Sequence, residues 1–126
     1  MTPWLLVSLR AVSEGSEQND DDGVEVTDER GQSRIEVHAE GRLAGFADYR
    51  RNPEQLAIVH TEVDPHFGGR GFGARLVTYA LETARDAGLA VLPFCPFARD
   101  FISENHEYLD LVPPDQRDRF GLPTNV

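Results

Sequence analysis

The sequence predicts an α+β (mixed α/β) domain built around one central sheet. Four short segments in the first half alternate apolar and polar residues, as strands with one buried face do. A longer segment, 72–87, then repeats its apolar residues at the spacing of one helix face. A compact apolar segment, 90–94, is typical of a buried strand, and a second helix is predicted after it.

The four alternating segments are separated by residues that favour turns. They stop at Asp28-Glu29-Arg30-Gly31, at Glu40-Gly41 and at Arg51-Asn52-Pro53 in turn. Short strands joined in this way favour an antiparallel meander, so the sheet should be mostly antiparallel. The four strands are predicted at 24–27, 34–38, 43–49 and 55–63.

The two predicted helices have recognisable ends. The long helix, 72–87, is followed by Gly88, and glycine commonly terminates helices. Pro96 suits the first turn of a short second helix, where a missing N–H costs nothing, and we expect that helix to run to Asn105. The C-terminal segment 113–126 contains prolines and is predicted to be irregular.

Length and composition limit the organisation of the chain. Its 126 residues suit one domain. Residues 1–23 are polar and acidic, so we expect a disordered tail followed by a single domain at 24–126. The one cysteine, Cys95, excludes an intrachain disulfide and a cysteine-cluster zinc site, and a free thiol fits a reducing, cytoplasmic location.

The charge and the apolar pattern exclude several classes of partner. The formal net charge is −10 and all twelve cationic residues are arginines, so nucleic acid is not an expected partner. The apolar stretch 4–7 is too short to span a membrane, and no later stretch is long or apolar enough for a membrane helix. Four scattered histidines do not form a metal site. We expect a monomer or a weak dimer.

The strongest local signal is a glycine-rich turn between the fourth strand and the long helix. Four of the six residues Gly68–Gly73 are glycine, which leaves backbone N–H groups accessible to a phosphate. The helix N-terminus adds unpaired donors and a partial positive charge, and Arg70 adds a full one. This combination suits a pyrophosphate. The alternative is a flexible loop that only precedes a helix.

Two other phosphate motifs do not fit this turn. A P-loop ends in Gly-Lys-Ser/Thr, and the chain has no lysine. The spacing Gly69-x-Gly71-x-x-Ala74 formally matches a dinucleotide-binding fingerprint. That fold requires an acidic residue at the end of the next strand, but this strand ends in Leu-Pro-Phe-Cys, and a meander precedes the turn instead of a βαβ unit.

The segment 62–76 resembles the cofactor motif of the GNAT acetyltransferase superfamily, Gln/Arg-x-x-Gly-x-Gly/Ala at a strand-to-helix turn. The order of predicted elements is similar to that fold as well. More narrowly, the combination of His-Thr-Glu-Val at 60–63, Gly-Arg-Gly-Phe-Gly at 69–73 and Cys-Pro-Phe at 95–97 resembles a minimal, short single-domain subfamily. The resemblance covers residues 24–112.

The resemblance implies that acetyl-CoA is the cosubstrate and suggests which residues bind it. Backbone groups of Glu62 and Val63 would bind the pantetheine arm. Gly68 stands where the motif usually has Gln or Arg, so a side chain is lost there while a backbone amide remains, and Arg70 would compensate. The amides that would hold the pyrophosphate are those of Gly69, Arg70, Gly71, Phe72, Gly73 and Ala74.

Two residues are candidates for catalysis on the same resemblance. Cys95 would accept or contact the acetyl group, and His60 would act as the base, with both facing the gap where their strands separate. Direct transfer to a bound amine is the competing route. Each residue also has an ordinary explanation, because single buried cysteines usually fill cores and strand histidines are often structural. Tyr108 lies near the position of a family acid but is displaced, which favours core packing.

The resemblance implies an acyltransferase that moves an acetyl group to a small amine, a thiol or a protein acceptor. The minimal form lacks the helices that commonly shape the acceptor site, so the acceptor is not implied. A catalytically silent CoA-binding or regulatory interaction module is the alternative, because Gly68 departs from the motif.

Overall fold

The fold is described from a computed structural model that covers residues 23–124. Apart from Gly23, the predicted acidic tail lies outside the described residues. One five-stranded sheet, two main helices and several short helical turns make up the described part. The strands are β1 (Glu25–Glu29), β2 (Arg34–Ala39), β3 (Arg42–Arg51), β4 (Gln55–Val63) and β5 (Ala90–Pro93), and the helices are α1 (Phe72–Ala87), α2 (Pro96–Glu104) and α3 (Pro114–Arg117).

The strands lie in the order in which they occur in the sequence. β1 to β4 form an antiparallel meander, and β5 is parallel to β4 because α1 crosses over between them. The predicted α+β class, the mostly antiparallel sheet and the long helix after the fourth strand are therefore confirmed. Both main helices begin and end within one residue of the bounds expected from glycine and proline positions.

The core lies between one face of the sheet and α1. Leu76, Val77 and Leu81 of α1 are fully buried, as are Ile35 and Ile58 of the sheet. Each such side chain stabilises the fold by about 1.5–3 kcal/mol when it is removed from water. The opposite face, here called the open face, is not covered by a helix of the described chain and carries polar side chains. The residues of the open face discussed below are Arg34, His60, Glu62 and the aromatic Phe46.

The C-terminal segment is more regular than expected. It forms a 3₁₀ helix at His106–Leu111, the short helix α3, and a second 3₁₀ helix at Asp118–Phe120. Phe120 and Leu122 are buried against the core. The prediction of irregular structure at 113–126 is therefore wrong for the described part. Its helical turns are too short to show an apolar period, so the sequence gives no signal for them.

A β-bulge divides β4 into two halves that bury opposite sets of residues. Tyr49 pairs with Ile58, but Asp48 pairs with His60, so Val59 is the extra residue. Before the bulge, Leu56 and Ile58 are buried; after it, Thr61 and Val63 are more buried than their neighbours. The bulge therefore turns His60 to the open face.

Gly45 allows β3 and β4 to approach closely just beyond this bulge. A Cβ atom at position 45 would lie 2.7 Å from the carbonyl oxygen of Glu62 and 3.2 Å from Cα of Val63. Both neighbours are backbone atoms, so they cannot rotate away. We expect Gly45→Ala to lower the free energy of unfolding by about 1–3 kcal/mol in urea denaturation.

Gly31→Ala is the matched control for Gly45→Ala. Position 31 has no atom within 4 Å of an added Cβ and does not have a positive φ. Its stability should stay close to that of the wild type. Equal stability of the two variants would contradict the close approach of β3 and β4.

Candidate active site

The candidate site begins where β4 and β5 separate. β5 pairs with β4 only from Gln55 to Ile58, and the last hydrogen bond between them is donated by Cys95 N to Ile58 O at 3.0 Å. β4 continues to Val63 without β5 beside it. Within residues 23–124, no strand pairs with this side of the segment 59–63, which is here called the open edge.

The sheet register decides which backbone groups point into the open edge. Asp64 N donates to Ala44 O at 2.8 Å, and in an antiparallel pair such hydrogen-bonded positions alternate along the strand. The groups of Glu62 are therefore directed to β3, whereas those of Thr61 and Val63 are directed to the open edge. Of the two residues expected to bind pantetheine through the backbone, the register favours Val63, and it adds Thr61, which the sequence alone did not indicate.

The glycine turn carries the chain from the open edge to α1. Asp64 accepts a hydrogen bond from His66 N at 2.8 Å and starts a 3₁₀ turn whose Phe67 is fully buried. Gly69 and Gly71 have φ of +80° and +79°, which favours glycine, and added Cβ atoms there would meet open space. Their positive φ angles thus shape the turn, while the space above them stays clear.

Among the described residues, no side chain caps the N-terminus of α1. Gly71 is the N-cap residue and forms no side-chain cap hydrogen bond, and the first turn contains no acidic residue. The first N–H groups of a helix have no partner within the helix, and the helix dipole makes this end partly positive. The 16-residue helix therefore offers an anion site next to the open edge.

Other residues of the glycine motif have packing roles. A Cβ at Gly73 would lie 2.8 Å from the ring of Phe97, so this glycine lets α2 pack against α1. Phe72 is buried and its ring centroid lies 5.9 Å from that of Phe67. Gly68 has an extended backbone (φ −63°) that any residue can adopt, but an added Cβ atom would lie 3.3 Å from the carbonyl oxygen of Pro65.

Arg70 is held by an acidic residue that sequence reasoning missed. Its Nη1 donates to Oε2 of Glu40 at 3.0 Å, and its guanidinium lies 4.9 Å from the Phe72 ring centroid. The other oxygen of Glu40 is 3.8 Å from Nε2 of His66. Glu40 belongs to the β2–β3 turn, so this ion pair joins residues distant in sequence. Its carboxylate competes with any phosphate for Arg70.

Cys95 lies on the helix side of the strand separation. It is 3% exposed, occupies the N-cap position of α2, and donates from Sγ to Oγ1 of Thr61 at 3.4 Å. A thiol at a helix N-terminus is in a favourable place for nucleophilic chemistry. It is also well packed, as a structural cysteine would be.

His60 lies on the other side of β4. Its Nε2 is 3.1 Å from Oε1 of Glu62, its ring is 5.9 Å from that of Phe46, and its side chain is 56% exposed. His60 and Thr61 are successive residues and so point to opposite faces. The structure brings Cys95 to Thr61 and His60 to Glu62; among the described residues it shows no contact between His60 and Cys95. Their catalytic roles stay predictions.

A groove of about 190 Å³ lies on the open face beside His60 and Glu62. Its walls include the apolar residues Leu43, Phe46 and Pro65, and its polar lining includes the carboxylates of Glu62 and Asp64. Arg42 lies 3.8 Å from Asp64, and no arginine of residues 23–124 forms an ion pair with Glu62, which contacts the ring of His60. The groove therefore complements a positively charged group.

Tyr108 is a packing residue in the structure. It is buried, and its hydroxyl donates to Oε2 of Glu82 on α1 at 2.8 Å. Burial, and next the hydrogen bond to Glu82, raise the pKa of Tyr108 to about 12. Such a hydroxyl is a poor proton donor near neutral pH. Among residues 23–124, no group of three or more histidine, cysteine or acidic side chains is placed to hold a metal ion.

Together, the forked sheet, the open edge and the N-terminus of α1 define an α+β protein in which a strand edge leads directly to a helix end that favours anions. Comparison with known proteins gives the class more narrowly. The model of the GCN5-related N-acetyl-transferase family matches residues 34–111, and the chain belongs to this family. The expected superfamily is thus confirmed, and with it the class of transferase. No helix of the described residues is long and apolar enough to cross a membrane.

Two relatives illustrate the similarity. A streptothricin acetyltransferase from Streptomyces lavendulae is 37% identical over 70 residues, which make up 54% of this chain but only 37% of that protein's length. The solution structure of a GCN5-like protein from Staphylococcus aureus superposes with a TM-score of 0.55 at 27% identity, covering 71% of this chain and 87% of that one. The second comparison supports the fold over most of the described residues.

The raised pKa of Tyr108 has a measurable consequence at alkaline pH. An unfolded tyrosine ionises at about pH 10, so between pH 10 and 12 the unfolded chain loses this proton while the native chain keeps it. The stabilisation is complete below about pH 10 and is lost as the pH rises through about 12. The measurement is phenolate absorbance as a function of pH for the wild type and for Tyr108→Phe. The difference between the two titration curves should show a step near pH 12 for the native proteins and near pH 10 in urea. A step near pH 10 for the native proteins would contradict the raised pKa of Tyr108.

Proposed function

We propose that the protein is an acetyl-CoA-dependent N-acetyltransferase that acts on an amine. One observation supports this most directly: the open edge of β4 runs through the glycine turn into the uncapped N-terminus of α1. The open edge, the glycine turn and the N-terminus of α1 thus follow one another along the surface. The pantetheine and pyrophosphate groups of CoA follow one another in the same way, so pantetheine suits the open edge and pyrophosphate suits the turn and the helix end.

Backbone groups would provide most of the binding. The unpaired groups of Thr61 and Val63 suit the two amides of pantetheine, which extend a sheet edge as a strand would. The amides from Gly69 to Ala74 suit the pyrophosphate, and no Cβ atom obstructs the approach at Gly69 or Gly71. Arg70 would exchange its bond with Glu40 for one with a phosphate oxygen. Backbone amides thus replace the side chain that Gly68 lacks.

The positions of His60 and Cys95 favour direct transfer. With pantetheine on the open edge, the thioester lies in the fork between β4 and β5, with Cys95 on the helix side and His60 on the open side. The nitrogen of the neutral amine forms the new bond to the acetyl carbon and passes a proton to His60, and the carbon–sulfur bond breaks to release CoA as a thiolate. The imidazolium then returns that proton through solvent to the CoA sulfur. Glu62 orients the imidazole through its contact with Nε2.

The acceptor would approach over the open face. The groove beside His60 has carboxylates at Glu62 and Asp64 and apolar walls, so it complements an amine carried on an apolar body. The name of the Streptomyces relative supports acetyl as the group transferred. A primary or secondary amine is therefore the proposed acceptor class.

Ala74→Glu separates cosubstrate binding from folding. Ala74 lies in the first turn of α1, where a carboxylate is favourable to the helix and changes its stability by no more than about 1 kcal/mol. The same carboxylate would repel the pyrophosphate, so we expect at least about tenfold weaker acetyl-CoA binding in calorimetry. Ala74→Gln has the same shape without the charge and should bind more tightly than Ala74→Glu. Identical affinities in both variants would place the pyrophosphate elsewhere.

Kinetics of two further variants distinguish the chemical routes. Direct transfer predicts that His60→Gln lowers kcat by about 100-fold or more and leaves the KM for acetyl-CoA unchanged, whereas Cys95→Ser stays close to wild type. The assay is acetyl-CoA consumption with a panel of amines. Acetyl found on Cys95 by intact mass, with loss of turnover in Cys95→Ser, would favour the covalent route. A wild type that binds acetyl-CoA without any turnover would instead be a silent binding module.

A further inference from the structure

A second cavity lies at the end of the sheet opposite the glycine turn. Its volume is about 460 Å³, within the usual range for small-molecule sites. It is bounded by the turns between β1 and β2, between β3 and β4, and between α1 and β5. None of the residues that line it belongs to the open edge or to the glycine turn.

The polar lining of this cavity consists of hydrogen-bond donors and contains no carboxylate. Two arginines, Arg30 and Arg51, face it from different hairpins. The polar lining residues are Arg30, Ser33, Tyr49, Arg51 and Asn52, and the others are Pro53, Ala87 and Leu89.

Arg30 and Arg51 differ from several other arginines of the described residues. Arg34, Arg70 and Arg85 each form an ion pair at 3.0–3.2 Å with a carboxylate. Neither Arg30 nor Arg51 makes an ion pair or a side-chain hydrogen bond within residues 23–124. With a net charge of −10 there are acids in excess, so two unpaired guanidinium groups at one cavity are not a consequence of composition.

Hydrogen bonds within the protein orient two other polar residues that line the cavity, Tyr49 and Asn52. Tyr49 is buried, and its hydroxyl donates to Oδ1 of Asp28 at 2.6 Å, so this carboxylate is engaged outside the cavity lining. Both Arg30 and Arg51 are close enough to Tyr49 to act on its pKa, which burial and next Asp28 raise to about 12. Oδ1 of Asn52 accepts from the backbone of Glu54 and Gln55, which leaves its Nδ2 as a donor.

The geometry points to an anion site here: Arg30 and Arg51, with Ser33 and Asn52, bind a small oxyanion that carries a phosphate or several carboxylates. Guanidinium groups bind such oxygens in pairs, and two of them on separate hairpins suit a ligand with more than one acceptor oxygen. Since the rest of the surface is acidic, anions are repelled elsewhere and this cavity is a local exception. The site does not depend on the proposed acetyl transfer.

The test uses the full chain in the Ala74→Glu background, which removes the glycine turn as a competing anion site. Inorganic phosphate and citrate are titrated separately at constant ionic strength, with chloride as the reference, and binding is followed by calorimetry and by the NMR signals of the arginine Nε–H groups. We expect saturable binding of at least one probe and shifts at Arg30 and Arg51. Stronger binding of phosphate would indicate a phosphorylated ligand, and stronger binding of citrate a polycarboxylate.

Arg30→Gln and Arg51→Gln should each weaken that binding by about tenfold, because each removes one charge-assisted contact. Arg50→Gln is the matched control: it removes the same charge from the neighbouring position, which is exposed and outside the cavity lining. The inference is overturned if neither probe binds better than chloride, or if Arg50→Gln weakens binding as much as the other two. In the wild-type background, acetyl-CoA binding should be unchanged by all three, so this site and the proposed function can fail separately.

Discussion

The separation of β5 from β4 after Ile58 is the feature on which the rest of the site depends. Two prolines produce it: Pro93 ends β5 and cannot donate to a ladder, and Pro96 starts α2. β5 therefore cannot continue beside β4. The edge of 59–63 is left unpaired as a result, Cys95 is placed at the N-terminus of α2, and α2 can pack against α1 at Gly73. A longer β5 would remove the edge, and the uncapped end of α1 would have no adjoining groove for an extended ligand.

The bulge at Val59 determines which side chains meet at that fork, and this could not be predicted from the sequence. In the sequence, the segment 55–63 looks like one unbroken strand. Its pattern of apolar residues therefore does not show which of His60 and Thr61 lies on the same face of the sheet as Cys95. The extra residue reverses the faces beyond it, because side chains alternate along a strand. His60 then joins Glu62 on the open face, and Thr61 contacts Cys95. The sequence analysis expected both His60 and Cys95 to face the gap between their strands, and their catalytic roles stay predictions.

What the sequence did predict was encoded locally. Gly88 after α1 and Pro96 at the start of α2 are signals that act within one helical turn, and α1 ends and α2 begins where those signals predict. The missed features join distant parts of the chain. Glu40 meets Arg70 across 30 residues, and Gly73 meets the ring of Phe97 across the α1–α2 contact. The C-terminal turns depend on burying Phe120 and Leu122, which also requires the finished core.

Glu40 also limits what Arg70 can contribute to the proposed pyrophosphate site. Arg70 is neutralised in the structure, so the anion site at α1 relies on backbone amides, whose partial charges are fixed by the fold and carry no long-range attraction. The shape of the turn would therefore decide which anions bind at such a site. The cavity of Arg30 and Arg51 has the opposite character, because full charges on flexible side chains attract many oxyanions and are screened by salt. The proposed shape-selective site and the proposed charge-selective site thus lie at opposite ends of the sheet, so substitutions at one leave the residues of the other in place.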